Sequence, residues 1–408
     1  MKRTIRREFS TSELLEETLA GVHGVEALRA MALDPLQHGV RALLAEQAPW
    51  WDGSTPRLIR TKYKPSRKLS AYYELSPGDP ARHAAVAWTN ESIEVLVSPD
   101  DPSMPQLAGL HDDAYLTDLL GFTGRIDTIR YRPRQRHVLR VSDADRAVYI
   151  KIDKDDSGAR AVPVAQALGS RMAIECPGAG LAEPIGYSAV DRAGLWASSP
   201  GEPLWQRLGD PGEAERLTHL LGRAVRVLHD TPTDLLASSP EEPHDVQAEV
   251  ASTMRAGEHI GTLVPQLGSD FLTIVDAVVE GLANVPAEAP TFTHGDLKSD
   301  NVLAFDGQVR LLDLDRCGPA DPALDLAKFA ADLHWWCAPD SQRARALAES
   351  FRAGYGECDP ARWDRAALLT RLFDLKLTAR RCAVHYPAWD SHVRARVAAA
   401  APVLARGA

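Results

Sequence analysis

Cysteine is scarce in this chain. Cys176, Cys317, Cys337, Cys358 and Cys382 are the only thiols in 408 residues; they are odd in number and scattered, and no CxxC pair occurs. This pattern excludes a disulfide framework and fits a reducing cytoplasm, with the thiols serving as small buried apolar groups. Long apolar runs are also missing, and no stretch reaches the ~18 residues of a membrane-spanning helix. The basic start Met1–Arg7 runs into polar EFSTSELLEE, so no signal peptide is expected and the protein reads as soluble and cytoplasmic. Net positive charge is absent: 46 Lys and Arg against 56 Asp and Glu leave −10. That balance argues against nucleic acid or an anionic membrane as the main partner. It would suit a cationic ligand, although acidic composition is ordinary among soluble proteins. With 45% apolar and 25% charged residues the chain is not a disordered one. At this length one ordinary core is not enough, and two or three units are expected.

What is present is concentrated in TFTHGDLKSDNVLAFDGQVRLLDLDRCGPADPALDLA, Thr291 to Ala327. His294-Gly295-Asp296 is followed, five residues after the aspartate, by Asn301. A turn at Asp306-Gly307 leads into the apolar run Val309–Leu312, which ends on Asp313. Phosphoryl transfer needs an acceptor hydroxyl held in line, a carboxylate to receive its proton, and magnesium across the nucleotide phosphates. Asp296 is the expected base. Asn301 and Asp313 are hard oxygen ligands suited to Mg²⁺, and a hairpin closed by Asp-Gly would bring them together. Lys298 would set a positive charge against the moving phosphate.

HGDLKSDN followed by LLDLDRCGPADPALDLA resembles the aminoglycoside phosphotransferase and choline kinase superfamily, which shares the protein kinase-like fold. His-Gly-Asp is that superfamily's form of the triplet, and Asp321-Pro322 with Asp325-Leu326-Ala327 resembles its GDPxxDLA segment. The resemblance implies ATP (or GTP) and Mg²⁺, with Asp296 as base and Asn301 and Asp313 as metal ligands. It implies that Asp321 and Asp325 orient the loop and cap the next helix, and that His294 bonds backbone near the metal site. Lys298 departs from the small residue or His common there and is closer to the Leu-Lys of Ser/Thr protein kinases. The likeness spans about residues 120–380 and is specific only in this stretch. The implied fold class is α+β and bilobal. A β-rich N-lobe over 116–200 and an α-helical C-lobe over 201–408 follow an extra α+β cap over 1–115.

In the cap, Ser10 to Ala48 reads helical, with a capping-box start at Ser12 and apolar residues near 3.6 spacing. LIRTKYKP, SAYYEL, HAAVAWT and SIEVLVS then read as antiparallel strands, and Pro99–Pro105 as a loop. An internal echo links the cap to the N-lobe. KYKPSRK, Lys62–Lys68, precedes SAYYEL and AAVAWT, as RYRPRQR, Arg130–Arg136, precedes HVLRV and AVYIKID. The cap sheet is therefore expected to resemble, and to extend, the N-lobe sheet; the alternative is two unrelated hairpins with similar turns.

AVYIKID places Lys151 where the kinase β3 lysine would reach the α- and β-phosphates, with Lys154 as a competing register. The turn Pro133–His137 has no glycine. Arg134, Arg136 or His137 would have to supply side-chain contacts to phosphate, or the turn is simply a solvated basic one. The helix expected over Ala159–Ala173 lacks a central Glu to pair with Lys151, leaving Gln166 or Glu175 as substitutes. AGLWASSPGEPL resembles the superfamily's inter-lobe hinge, which implies that backbone groups at Ala197, Ser198 and Ser199 meet the adenine edge.

Helices are expected over Pro211–His229, Val246–Met254, Phe271–Ala283, Ala323–Trp336, Ala344–Gly354, Trp363–Ala379 and His392–Ala401, the last stopping before Pro402. HLLGRAVRVLH resembles the superfamily's LLARLH helix. Trp335, Trp336, Trp363, Phe373, Tyr386 and Trp389 are either core or the lining of an acceptor pocket. The expected activity is transfer of a γ-phosphate to a hydroxyl of a small molecule: an aminoglycoside, amino sugar, other antibiotic or metabolite. Kinase action on peptide Ser/Thr hydroxyls is the alternative, and a catalytically silent nucleotide-binding partner a third reading. Maltose and glucosamine kinases share an extra N-terminal domain but carry Gln where this chain has Asn301. Acceptor identity and oligomeric state are not legible in the sequence.

Overall fold

Alternating burial is the signature of a sheet with one face on a core; the N-lobe strands show it, whereas the central cap strands are buried on both faces, and these two sheets dominate the first half of the molecule. The computed structural model describes residues 6–8, 13–36, 40–75, 82–233 and 245–401; the expected caps at Ser12 and Pro402 lie outside them. The cap holds β1 (Arg6–Glu8), α1 (Glu13–Ala20), α2 (Gly24–Leu33), α3 (Val40–Gln47), β2 (Arg57–Lys64), β3 (Lys68–Glu74), β4 (His83–Thr89) and β5 (Ser92–Val97). Its strands form an antiparallel sheet in the order β1-β5-β4-β3-β2. A 3₁₀ turn, Pro105–His111, and α4 (Asp113–Leu120), neither of which the strand and turn signals indicate, lead to the second sheet.

The N-lobe comprises β6 (Arg125–Arg132), β7 (Arg136–Ser142), β8 (Ala147–Asp153), α5 (Ala161–Glu175), β9 (Ala179–Leu181), β10 (Pro184–Ser188) and β11 (Ala193–Ala197). Its sheet runs β10-β11-β8-β7-β6. The two sheets are separate, so the cap does not extend the N-lobe sheet. Their hairpins nevertheless share one turn geometry: Ser66 and Arg134 both take positive φ, 54° and 60°, and in each the following N–H bonds the carbonyl three residues back at 3.1 Å.

The rest is mainly helical: β12 (Glu202–Pro203), α6 (Glu213–His229), α7 (Val246–Leu263), α8 (Pro265–Ala283), β13 (Thr291–Thr293), β14 (Val302–Phe305), β15 (Gln308–Leu311), β16 (Gly318–Ala320), α9 (Ala323–Trp336), α10 (Ser341–Tyr355), α11 (Pro360–Arg381) and α12 (Trp389–Ala400). Where a glycine-containing loop is expected after Met254, α7 and α8 continue to within one residue of each other. Gly261 and Gly268 are not breakers here. They are the crossing point, where a Cβ on Gly268 would overlap the Gly261 backbone.

Cap and C-lobe share one core. Leu19, Leu28, Leu43 and Leu44 belong to the same buried cluster as Leu217, Phe271, Phe292 and Leu369, whereas the N-lobe sheet packs on Met104, Leu107, Leu110 and Leu116. The cap also touches the C-lobe through polar atoms. The Thr61 hydroxyl lies 2.9 Å from His385 Nδ1, and Arg29 Nε donates to the His385 carbonyl at 3.2 Å.

Candidate active site

The short ladder of β13 with β16 delivers the backbone to His294. There the chain turns around a fully buried carboxylate. Asp325, in the first turn of α9, accepts the His294 N–H at 2.6 Å and the Gly295 N–H at 2.9 Å. Its carboxyl is held below the usual range: burial acts to raise it, and the His229 bond and charge with the His294 contacts outweigh that. His229 ends α6 between Asp325, at 3.3 Å, and the Tyr355 hydroxyl, at 2.7 Å. His294 Nε2 donates to the Leu312 carbonyl at 3.0 Å while Nδ1 accepts the Asp296 N–H at 3.3 Å, so both ring nitrogens hold backbone. Gly295 has φ +75°, and a Cβ there would collide with the Arg316 carbonyl.

Asp296 is gripped from two sides. Lys298 Nζ lies 3.0 Å from Oδ2, and Lys328 Nζ is paired with Oδ1. Asn301 Nδ2 donates to the Asp296 carbonyl at 3.0 Å and to Oδ2 at 3.2 Å. Burial pushes the Asp296 carboxyl up, but the two ammoniums hold it well below the ordinary carboxylate range. Lys328, on α9 and only 3% exposed, is a site residue the sequence reading missed, as is Asp315. The one signal for Lys328 is a lysine within the largely apolar segment ALDLAKFAADL, at helical spacing from Asp325 and Asp332, where a buried charge needs a partner. The loop is anchored beneath by Asp332, which accepts from Ser299 N at 2.7 Å and from its hydroxyl. Arg381 bridges Asp332 at 2.7 Å and Asp300 at 2.9 Å.

The hairpin β14–β15 turns at Asp306 and Gly307, both with positive φ, and places Leu312 opposite Asn301 through a 2.8 Å bond. Asp313, next in line, takes the left-handed conformation at φ 61°, a strain that clusters at functional sites. Its carboxyl is held low: burial raises it, and Lys151, ion-paired with it, prevails. Among the described residues no three His, Cys, Asp or Glu side chains converge to hold a metal unaided. A hard-oxygen pair such as Asn301 and Asp313 fits Mg²⁺, which usually takes one or two carboxylates and completes its shell with phosphate oxygens and water.

The residues expected on the nucleotide side divide. Lys151 Nζ is paired with Asp313 and lies 2.6 Å from Asp315, while the exposed Lys154 ammonium pairs with its neighbour Asp155. Arg136 reaches Asp153 at 2.6 Å and Asp315 at 2.7 Å, inside the same cluster. Gln166 is exposed and Glu175 pairs with Arg171, so neither serves Lys151; Asp313 and Asp315 do. Arg134 is not brought to the site. Its N–H bonds Asp101 at 2.7 Å and its guanidinium pairs with Glu94, because the turn docks against the cap. His137 is buried beside Thr128 and makes no site contact. At the hinge, the N–H groups of Ala197 and Ser198 already bond Glu183 and Ala147 carbonyls, leaving Ser199 N–H and the carbonyl edge.

Asp321 accepts the Ala323 N–H through Oδ1 at 2.9 Å and pairs with Arg365 through Oδ2, capping and bracing α9. The aromatic group splits: Phe373 and Trp389 are core, Trp336 stacks on Trp205 at 4.4 Å, and Trp335 and Tyr386 line a surface cavity of about 490 Å³.

The profile of the phosphotransferase enzyme family matches residues 111–385. The chain belongs to that family. Its fold is similar to two solved structures with TM-scores of 0.52. The amicoumacin kinase hAmiN in complex with AMP-PNP, Ca²⁺ and Ami is 12% identical and covers 72% of this chain and 95% of its own. The GDP complex of aminoglycoside 2'-phosphotransferase-IIIa is 14% identical, with 72% and 98% covered. A search of the curated proteins finds no match. No helix among the described residues is long and apolar enough to cross a membrane.

Proposed function

We propose that this phosphotransferase moves the γ-phosphoryl group of ATP to a hydroxyl of a small molecule, with Mg²⁺ as cofactor. The observation that carries the reading is Asp296, an ionised, largely buried carboxylate clasped by Lys298 and Lys328 and bonded to Asn301. Asp296 receives the hydroxyl proton as the acceptor oxygen bonds to γ-phosphorus and the bond to the β–γ bridging oxygen breaks. Lys298 and Lys328 keep the base charged and set positive potential where negative charge moves. Lys151 and Arg136 are positioned for the nucleotide phosphates. Asn301 and Asp313 would hold the metal, which supplies charge neutralisation across those phosphates. Relatives that bind AMP-PNP or GDP leave ATP and GTP as the nucleotides to compare.

The silent-partner reading rests on the glycine-less turn Pro133–His137 and on the missing helix glutamate; Asp313 and Asp315, paired with Lys151, weigh against the second of these. Transfer of ³²P from γ-labelled nucleotide into a panel of amino sugars, sugar acids, aminoglycosides and Ser/Thr peptides tests the proposal. Asp296→Asn should keep nucleotide affinity and lower transfer ~10²–10⁴-fold. Full turnover in that variant would remove Asp296 as the base.

A further inference from the structure

The chain is acidic, yet the mouth of this site is not. Arg60 and Lys62 alternate along β2 and so share one face; they stand opposite Tyr72 and Ser70 of β3. Lys62, Ser70 and Tyr72 line a cavity of about 130 Å³ closed by the β6–β7 turn, so that face looks toward the N-lobe. Arg130 and Arg132 share the opposite wall on β6, since Tyr131 between them is buried in the N-lobe core. Across the sheet, Arg130 is level with Val138 and Lys151, and Arg132 with Arg136. The C-lobe adds Arg316, whose carbonyl abuts Gly295, and Arg380, beside the loop anchor Arg381.

None of Arg60, Lys62, Arg130, Arg132, Arg316 and Arg380 has an ion-pair partner within 4 Å among the described residues. Five of the six are exposed to water, and Arg132 is half-buried. Their charges still act on one another. Arg132 is pushed down to about 10, by burial first and then by Arg130, Arg136 and Arg60. Arg380 is lowered by burial, with Arg316 and Arg60 adding to it and Asp296 opposing. Arg60 thus sits within electrostatic range of Arg130 and Arg132 on the N-lobe and of Arg380 on the C-lobe. Accessible side chains that are nonetheless crowded by protein line a cleft. Like charges gathered there without partners oppose folding unless an anion is to be received.

The nucleotide does not account for all of them. Lys151 and Arg136 serve the phosphate side, at Asp313 and Asp315. Arg316, whose backbone abuts Gly295, and Arg380, which feels the Asp296 charge, come from the C-lobe on the Asp296 side, and β2 of the cap brings Arg60 to them where Thr61 meets His385.

We propose that the acceptor is an acidic small molecule, a hydroxyl compound bearing phosphate, carboxylate or sulfate, bound by Arg60 of the cap together with Arg316 and Arg380 of the C-lobe. The inference rests on the phosphotransfer reading above and turns it away from polycationic acceptors. It also gives the cap a part in substrate choice, because Arg60 completes the ring.

The test loads the full chain with Mg²⁺ and AMP-PNP and titrates inorganic phosphate by calorimetry. Saturable phosphate binding is expected, weakened at least tenfold in Arg60→Gln/Arg380→Gln and kept within threefold in Arg60→Lys/Arg380→Lys, with AMP-PNP affinity equal in all three. Labelled transfer should favour sugar acids and sugar phosphates over their neutral counterparts. Absence of phosphate binding to the loaded protein, binding unchanged in the Gln pair, or transfer to aminoglycosides in preference to acidic hydroxyl compounds would overturn the proposal while leaving phosphotransfer intact. Failure to bind AMP-PNP is a different result: it strikes the phosphotransfer reading and takes this inference with it.

Discussion

At the scale of single residues, the site depends on three side chains or their absence. Gly295 is needed because the chain is left-handed there and its α-carbon faces the Arg316 carbonyl. Gly295→Ala should therefore cost ~1–3 kcal/mol through backbone strain and the displaced carbonyl, read as a lowered thermal midpoint. An unchanged midpoint would mean that the loop relaxes freely. Lys328 acts on Asp296 through charge. Removing it lifts the Asp296 carboxyl toward its ordinary value, so the base protonates at higher pH. The acid limb of the kcat/KM profile should move upward in Lys328→Met and return in Lys328→Arg; an acid limb that stays in place would make Lys328 a structural ion only. Asp325 shows the other pattern, a fully buried carboxylate satisfied by two N–H groups and a histidine, which orients the loop from beneath.

At the scale of elements, the N-lobe sheet carries a built-in acid sensitivity. His137 on β7 is fully buried between Thr128 and Ser98, with His111 and His83 nearby, and burial pushes it down to about 3. Its folded value lies below the unfolded one near 6.5, so its contribution is complete above pH 6.5 and is lost as pH falls toward 3. Urea unfolding between pH 7 and 4 should show wild-type stability falling more steeply than that of His137→Gln, by up to ~1.4 kcal/mol per pH unit. Parallel slopes would show that His137 ionises in place. The α7–α8 pair makes a different point. Glycine at a close helix crossing looks in sequence like a loop signal, because a helix breaker and a missing side chain are the same residue.

At the scale of the whole molecule, the cap is part of the C-lobe's structure. Its helices bury Leu19, Leu28, Leu43 and Leu44 in the common core, β2 meets His385, and Glu94 holds the β6–β7 turn. Deleting residues 1–103 should expose that apolar surface and yield an aggregating chain without a cooperative thermal transition. A soluble truncated protein that melts within a few degrees of the full chain would show the cap to be a separable unit. The same contacts span both lobes, so opening of the cleft has to carry the cap with one of them.

Much of this is legible in residue order alone. The triplet His294–Asp296, Asn301 five residues beyond the base, the Asp-Gly hairpin and Asp313 are local in sequence, and a turn or a short ladder sets their geometry. The kinase-like fold class, the β8 lysine and the C-lobe helices come from periodicity and resemblance in the same way. What the chain order cannot contain is which distant groups meet. Lys328 lies 32 residues after Asp296 along the chain, Asp313 and Asp315 replace the helix carboxylate expected for Lys151, and Arg134 turns to Glu94 instead of the phosphates. Each is a long-range electrostatic pairing, decided when sheets and helices pack. The approach of Arg60, Arg316 and Arg380 to one another in a chain of net charge −10 is of the same kind. Net charge is a sum over residues, whereas the field at a site depends on where the fold puts them.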